Sequence, residues 1–175
     1  MGLRQYFQEN QIVLVIFSES DSAGQLITLL QEIRKITEKI GYISISKPYS
    51  KIVEIMNKSR LKRDEAFIVD SASVSMGLEL NAANCSFVSS PDALTELRVA
   101  FVSMIREKNR QIVIFDSLSD LLRYNDISKI VKFTNNIIMK SRIERKNIVF
   151  LSDNDASDDL IKDFHMFVDR VIIMD

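Results

Sequence analysis

Short apolar runs alternate along the chain with longer segments in which apolar residues recur every three or four positions. The first run, residues 11–17, is uninterrupted and rich in β-branched side chains, which is typical of a parallel strand buried on both faces. The segment that follows from Asp21 repeats leucine and isoleucine at helical spacing, so it predicts an amphipathic helix. Gly41 stands at the end of this segment, where a glycine in the left-handed conformation is a common C-terminal cap.

The same alternation continues along the rest of the chain. It predicts further strands over residues 42–46, 66–70, 85–88, 111–116, 147–151 and 170–174. It predicts further helices over residues 48–59, from Ser90 onward, over 126–145 and over 156–167, with a loop over 71–84. Pro48 and the Ser90-Pro91-Asp92 sequence are both typical of helix starts. Strands that alternate with helices in this way indicate an α/β fold, a three-layer α/β/α sandwich with a mainly parallel central sheet.

The composition is that of one globular domain. The chain has 175 residues, of which 46% are apolar, and it contains four glycines and two prolines. We therefore expect a single domain over residues 1–175 with a substantial core. The longest purely apolar run, Ile12–Phe17, has six residues, whereas a membrane-spanning helix needs about 20. Since residues 1–10 also lack the features of a signal peptide, we expect a cytoplasmic protein that does not contact a membrane.

The charges and the reactive side chains argue against several classes of function. The 23 lysines and arginines nearly cancel the 24 acidic residues, so the chain lacks the basic excess of nucleic-acid-binding proteins, and we do not expect a nucleic-acid partner. Cys85 and His165 are the sole members of their residue types, which excludes an internal disulfide and a cysteine–histidine metal site. The acidic segment 153–159 lacks the glycine turn of a calcium loop, and we interpret it as a solvated loop and helix start.

The clearest chemical motif lies at the end of the strand predicted over residues 111–116. Asp116 follows four large apolar residues and precedes Ser117. In P-loop ATPases, a carboxylate that ends such a strand helps to hold Mg²⁺ beside the nucleotide phosphates, and Mg²⁺ prefers oxygen ligands. The alternative is that Asp116 caps the turn after the strand, which is a common role of aspartate.

Residues 112–122, Ile-Val-Ile-Phe-Asp-Ser-Leu-Ser-Asp-Leu-Leu, resemble the Walker B strand and the following turn of RecA-superfamily ATPases, especially those of the archaeal KaiC-like branch. Residues 168–172 resemble a strand near the end of that domain, and the order of predicted elements agrees along nearly the whole chain. The resemblance implies a RecA/KaiC-like P-loop NTPase topology. It also implies a degenerate nucleotide site that would include Ser22, Gly24, Asp116 and Ser117.

The segment that aligns with the phosphate-binding loop departs from the family pattern G-x-x-x-x-G-K-[ST]. In its sequence, Glu-Ser-Asp-Ser-Ala-Gly-Gln-Leu, only the second glycine, Gly24, matches. Gln25 replaces the lysine that supplies positive charge, and Leu26 replaces the hydroxyl residue that binds Mg²⁺. Glu19 and Asp21 add negative charge where a phosphate anion would bind.

A second part of the ATPase machinery is also missing. KaiC-like ATPases carry catalytic carboxylates after their second strand, and the corresponding positions in this chain are near Ser46 and Lys47. Neither side chain can act as a general base toward an attacking water in the usual way. We therefore expect no ATP hydrolysis, no catalytic residues and no bound cofactor, with ATP and Mg²⁺ kept as the alternative.

Three hypotheses about function follow. The first is a catalytically inactive RecA/KaiC-like domain that acts as a regulatory or signal-transduction module, through a protein partner or through self-association. The second is a nucleotide-binding protein with a non-standard phosphate loop over residues 18–24, whose serines and helix N-terminus offer hydrogen-bond donors. The third is an enzyme of another α/β class, with Asp21, Asp70 and Asp116 in one crevice. A phosphorylatable receiver domain with Asp70 fits the element order less well.

Overall fold

The computed structural model describes residues 3–9, 12–18, 21–78, 81–153 and 158–174. Within these residues the strands are β1 (Ile12–Phe17), β2 (Ile40–Ser44), β3 (Ala66–Asp70), β4 (Cys85–Phe87), β5 (Ile112–Asp116), β6 (Asn147–Asp153) and β7 (Arg170–Met174). The helices are α1 (Leu3–Glu9), α2 (Ser22–Arg34), α3 (Tyr49–Lys58), α4 (Leu94–Arg106), α5 (Leu118–Leu121), α6 (Ile127–Ile143) and α7 (Asp158–His165). None of the described helices is long and apolar enough to cross a membrane.

The strands form one sheet with the order β4-β3-β2-β5-β6-β1-β7, and every neighbouring pair is parallel. Strands inside such a sheet are buried on both faces, and every residue of β1, β2, β3 and β5 is buried. The two edge strands, β4 and β7, consist of half-buried and exposed residues. The predicted fold class, a three-layer α/β/α sandwich around a parallel sheet, is confirmed.

The direction of each crossover decides which face of the sheet a helix covers. The connections from β1 to β2 and from β2 to β3 run toward one edge, whereas those from β4 through β5 and β6 to β7 run toward the other. Because crossovers between parallel strands are right-handed, α2 and α3 cover one face with α1, and α4, α6 and α7 cover the opposite face. On the latter face the rings of Phe115, Phe150 and Phe164 pack in series, with centroids 5.7 and 5.4 Å apart.

The right-handed crossovers also leave a crevice at the carboxyl end of the sheet, between β2 and β5. β2 and β5 are neighbours, but the chain leaves β2 toward α3 on one face and leaves β5 toward α6 on the other. Ligands of parallel α/β folds bind in such crevices, outside the carboxyl ends of the strands. Asp116, the last residue of β5, therefore lies at the position where sequence analysis places a nucleotide site.

The structure corrects the prediction for Gly41. α2 ends at Arg34, and Gly41 lies inside β2 rather than at a helix C-terminus. A Cβ atom at Gly41 would lie 2.2 Å from Sδ of Met104 on α4, so the missing side chain permits the close approach of helix and sheet. β2 therefore includes Gly41 and begins at Ile40, whereas the sequence predicts a start at Tyr42.

Three helices also differ from the sequence-based expectation. α4 begins at Leu94 rather than at Ser90, because the carbonyl of Ser90 accepts the N–H of Ala93 in a turn that precedes the helix. The hydrophobic pattern predicts neither α1 nor α5. These helices have seven and four residues, which is too short for a helical period to show.

A bidentate ion pair joins α2 to the segment before β3. Nε and Nη2 of Arg34 donate to the two carboxylate oxygens of Glu65 at 2.9 and 3.0 Å. The Lys62 N–H also donates to this carboxylate, at 2.8 Å. The hydrogen bonds from Arg34 outweigh the effect of burial and lower the pKa of Glu65 below its ordinary value.

We expect this pair to make the fold acid-sensitive. Since the folded-state pKa of Glu65 is depressed, its contribution to stability is present above the ordinary pKa of 4.5 and is lost as the pH falls through the folded-state pKa. Glu65→Gln should lower the free energy of unfolding by about 1–2 kcal/mol at neutral pH and reduce its fall in acid. Urea unfolding across the acidic range measures both effects. The exposed neighbour provides the control, Asp64→Asn, and an equal loss in that variant would contradict the assignment.

Candidate functional site

Asp116 lines a cleft at the carboxyl edge of the sheet, with a volume of about 150 Å³. The first turn of α2, one side of α3 and the ends of β1, β5 and β6 form its walls. The polar residues that line the cleft are Ser22, Lys47, Lys51, Glu54, Lys58, Asp116, Ser117, Asp120 and Asp153. Carboxylates and ammonium groups therefore face each other in a small space.

Lys47 and Tyr42 both bind the carboxylate of Asp116. Nζ of Lys47 lies 3.0 Å from Oδ1 and 2.8 Å from Oδ2 of Asp116. The hydroxyl of Tyr42 donates to Oδ2 of the same carboxylate. Asp116 is only 3% exposed, whereas the side chain of Lys47 is 32% exposed and lines the cleft. An ammonium group of the chain thus neutralises the buried carboxylate.

The pairing of β2 with β5 explains this contact. Ser44, the last residue of β2, lies opposite Asp116, so the residues just after β2 are within reach of the carboxylate. Oγ of Ser44 donates to the carbonyl of Lys47 at 2.7 Å and accepts the N–H of Lys47 at 3.1 Å. This local turn fixes the backbone of Lys47 at the point from which its side chain reaches Asp116.

Burial and charge act on both partners of Asp116. Burial alone would lower the pKa of Lys47, but the attraction of Asp116, with smaller contributions from Asp120 and Asp153, raises it above the ordinary value. Burial raises the pKa of Tyr42 well above its ordinary value, and the charge of Asp116 adds to this effect. Lys47 therefore stays protonated and Tyr42 stays neutral at physiological pH.

Serine hydroxyls bind two further carboxylates of the cleft, those of Asp120 and Asp153. Oγ of Ser46 and Oγ of Ser117 donate to Oδ2 of Asp120 at 2.6 and 3.0 Å. Oγ of Ser119 donates to Oδ2 of Asp153 at 3.0 Å. Among the described residues, no group of three or more His, Cys, Asp and Glu side chains is arranged to hold a metal ion. Mg²⁺ does not fit beside Asp116 in this arrangement, because the Lys47 ammonium contacts both carboxylate oxygens.

The first turn of α2 likewise does not fit a nucleotide phosphate. Asp21 is the N-cap of α2, and its Oδ1 accepts the N–H of Gly24 at 3.0 Å. A Cβ atom on Gly24 would lie 2.1 Å from Oδ2 of Asp21, so the carboxylate can fold over this position only because it is glycine. In a P-loop, backbone N–H groups of this kind bind phosphate oxygens. Here the Asp21 carboxylate takes that place.

Gln25, which the sequence comparison aligns with the lysine of a P-loop, turns back toward the end of β1. Its Nε2 donates to Oγ of Ser18 at 2.6 Å, and its Oε1 accepts the N–H of Ser18 at 3.1 Å. The side chain is buried and is absent from the lining of the cleft. Gln25 therefore fastens the loop between β1 and α2 instead of supplying charge to a ligand.

The structure brings together three of the four residues predicted for a nucleotide site. Ser22, Asp116 and Ser117 line the cleft, and the peptide bond between the latter two is cis. Gly24 does not line the cleft, because it packs under the Asp21 carboxylate. Glu19 of the phosphate-loop segment and Asp155 of the acidic segment lie outside the described residues.

Asp70 does not share a crevice with Asp116, although the third hypothesis places them together. Asp70 is 0% exposed at the end of β3 and accepts the N–H groups of Tyr49, Ala72 and Ser73 at 2.7, 2.8 and 3.0 Å. These bonds fasten the loop after β3 to the first residue of α3. A carboxylate so buried and so fully bonded is inaccessible to phosphorylation, which argues against the receiver and three-aspartate hypotheses.

Lys47 and Tyr42 acquire their importance only in the folded chain. The resemblance to KaiC-like ATPases puts Ser46 and Lys47 near the positions of catalytic carboxylates, but the sequence does not predict the contact of Lys47 with Asp116. Tyr42 belongs to a buried strand, where an aromatic residue is ordinary. The pairing of β2 with β5 is the signal that identifies both residues, and hydrophobic periodicity does not reveal strand order.

Cys85, at the start of β4, should be an unreactive thiol. Burial and the negative charge of Asp70 raise the pKa of Cys85 to about 12 from an ordinary 9.0. Since the thiolate is the nucleophile, we expect its reaction with a disulfide reagent in mildly alkaline buffer to be about a hundred- to a thousandfold slower than that of an unperturbed thiol. Absorbance of the released thiol measures the rate, and the urea-unfolded chain is the control. Equal rates in the folded and unfolded chain would contradict the burial.

Comparison with known proteins supports the fold but not a function. The sequence matches no protein-family model, and it matches no curated protein. Among solved structures, the chain is similar to the uncharacterized protein PH0321 from Pyrococcus horikoshii, which was crystallised in complex with an unknown peptide. The TM-score is 0.70 and the identity 15%, over 97% of this chain and 81% of that chain. At this identity the similarity shows a shared fold alone.

Proposed function

We propose that the chain is a RecA/KaiC-like domain that does not hydrolyse ATP and acts as a regulatory or signal-transduction module through protein contacts. The observation that carries this proposal is the contact of Lys47 with Asp116. The carboxylate that would serve Mg²⁺ in an ATPase is bound at both oxygens by an ammonium group and at one oxygen by Tyr42. A divalent cation could bind Asp116 only by displacing Lys47.

The phosphate side of the cleft supports the same proposal independently. A P-loop offers backbone N–H groups and a lysine to the nucleotide. In this chain Asp21 takes up the N–H of Gly24, and Gln25 is bonded to Ser18. Both changes remove hydrogen-bond donors from the place of the phosphates, and the Asp21 carboxylate adds repulsion toward an anion.

The outer helices offer apolar surface for a protein contact. Three large apolar side chains are exposed to solvent instead of packing in the core: Val99 on α4, and Met139 and Ile143 on α6. Met139 and Ile143 are one helical turn apart on α6, and neighbouring exposed apolar side chains are typical of interaction surfaces. The peptide bound to PH0321 belongs to that protein, and it provides a precedent for a peptide ligand on this fold.

Calorimetric titration with Mg²⁺-ATP and Mg²⁺-ADP tests the proposal, together with a phosphate-release assay. We expect no binding heat, no thermal stabilisation and no phosphate release for the wild-type chain. The matched control is Asp116→Ala, which should behave identically toward both nucleotides. ATP turnover that is abolished by Asp116→Ala would contradict the proposal.

A second candidate function is nucleotide binding without hydrolysis. It is favoured by the lysines 47, 51 and 58, which line the cleft together with Ser22 in the first turn of α2. Micromolar binding in the titration would support this candidate. Lys51→Ala then locates the ligand, because Lys51 lines the cleft and does not contact Asp116. A weaker affinity in Lys51→Ala places the nucleotide in this cleft, and an unchanged affinity places it elsewhere.

A further inference from the structure

The outer edge of β7 is an open hydrogen-bonding surface. Among the described residues, β7 pairs with β1 on one side and with no strand on the other. The N–H of Ser18 donates to the carbonyl of Met174 at 3.1 Å, which shows that Met174 directs its peptide groups toward β1. Since successive residues of a strand direct these groups to opposite sides, Val171 and Ile173 direct theirs to the free edge.

This edge lacks the features that normally prevent strand pairing. Natural edge strands are short, or carry proline, lysine or a bulge. The opposite edge strand, β4, has three residues, whereas β7 has five and continues from Val171 to Met174 with apolar residues alone. The charged residue of β7, Arg170, places its guanidinium over the ring of Tyr6, 4.1 Å from the centroid. The strand therefore presents an unguarded, apolar edge.

We propose that two copies of the chain pair antiparallel through β7 and form one continuous sheet across a twofold axis. The register that places Ile172 opposite Ile172 of the second copy also places Val171 opposite Ile173. In that register the outward peptide groups of Val171 and Ile173 hydrogen-bond to each other across the axis.

In this register the side chains of β7 in one copy are complementary to those of β7 in the second copy. Val171 meets Ile173 twice on one face, and the two Ile172 side chains meet on the other. Arg170 lies opposite Met174, so no like charges face each other within the strand. Ile173, which is 65% exposed in the single chain, gains an apolar neighbour. A second copy therefore satisfies both the peptide groups and the apolar side chains of the edge. The pairing is independent of what the cleft binds.

Sedimentation equilibrium of the full chain tests the pairing. We expect twice the chain mass of 20.1 kDa for the wild type and the single mass for Ile173→Lys, since a lysine at the edge opposes strand addition. The matched control is Met76→Lys in the loop after β3, where the methionine is 57% exposed and lies outside β7. This control should remain dimeric. A monomeric wild type, a dimeric Ile173→Lys, or a control that dissociates like Ile173→Lys would each overturn the proposal.

Hydrogen exchange of the wild-type chain gives a test that does not depend on the folding of a variant. The amides of Ile172 and Met174 bond to β1, so they should be protected at every concentration. The amides of Val171 and Ile173 should be protected in the dimer and exchange at least about tenfold faster when the protein is diluted to monomer. Exchange at Val171 and Ile173 that is fast at high concentration, or that does not change on dilution, would overturn the proposal.

Discussion

Lys47→Met should lower the free energy of unfolding by about 2–4 kcal/mol. The substitution removes the ammonium group from both oxygens of Asp116 and leaves a carboxylate that is 3% exposed with Tyr42 as its remaining partner among the described residues. Breaking a fully buried ion pair from one side costs about 3–5 kcal/mol. We expect a somewhat smaller loss of stability here, because the side chain of Lys47 is 32% exposed. Water can therefore reach the carboxylate of Asp116 when methionine replaces Lys47.

The pH dependence of this loss has a defined sign. The pKa of Lys47 is raised in the folded chain, so the contribution of the ion pair is fully present below the ordinary value of 10.5. It is lost as the pH rises through the folded-state pKa. The difference in stability between wild type and Lys47→Met should therefore be constant across neutral pH and shrink only in strong alkali.

Two variants separate the ion pair from nonspecific effects of the substitution. Lys51→Met removes a lysine from the same cleft whose partner, Glu54, is on the surface of α3, and it should change stability by less than about 0.5 kcal/mol. The double variant Lys47→Met/Asp116→Asn should recover part of the loss, because no charge is then left unpaired. Urea unfolding measures all three. Equal losses in Lys47→Met and Lys51→Met would show that the contact with Asp116 contributes nothing.

Asp70→Ala should have the larger effect, a loss of about 3–6 kcal/mol. It leaves the N–H groups of Tyr49, Ala72 and Ser73 without their shared acceptor. Each buried donor left unsatisfied costs about 1–3 kcal/mol. Since one of these groups begins α3 and two begin the loop after β3, we also expect this corner of the molecule to open first during unfolding. Hydrogen exchange of these amides, together with urea unfolding, checks both expectations.

Asp70→Asn keeps the shape of the side chain and one acceptor oxygen, so its loss should be intermediate. The control for aspartate loss in general is Asp126→Ala, whose exposed carboxylate makes no capping hydrogen bond to α6. It should change stability by less than about 0.5 kcal/mol. A loss in Asp70→Ala no greater than that in Asp126→Ala would mean that the hydrogen bonds to Asp70 do not support the fold.

The strands were predictable because burial on both faces leaves a plain signal in the sequence. The bounds predicted for β3 and β7 agree with the structure, and β5 differs by one residue. Gly41 misled the prediction, since a glycine that admits a neighbouring helix has the same sequence signature as one that ends a helix. The distance from Gly41 to Met104 is a tertiary property, and no local pattern contains it.

The candidate site was predictable only in part, for a related reason. Asp116 and Ser117 form a motif within one segment, and the mismatch of Gln25 and Leu26 to a P-loop is equally local. The partner of Asp116 comes from a different strand, and its identity depends on strand order. In the sequence, Lys47 is therefore only a lysine near the position of an expected carboxylate. In the structure, its ammonium group binds the carboxylate of Asp116.

Lys47 in the cleft and Asp21 at the first turn of α2 share a property that follows from their covalent attachment to the chain. A ligand from solution stabilises a protein in proportion to the logarithm of its concentration, so an ordinary nucleotide site reports the nucleotide level of its surroundings. A counter-ion that belongs to the chain has an effective concentration set by the length of its tether instead. The Lys47 ammonium group occupies the carboxylate of Asp116, and the Asp21 carboxylate occupies the N–H of Gly24, from the moment the chain folds. We expect the shape of the cleft to be the same at high and at low ATP concentration. A partner that recognises this surface would therefore bind it equally well at either concentration.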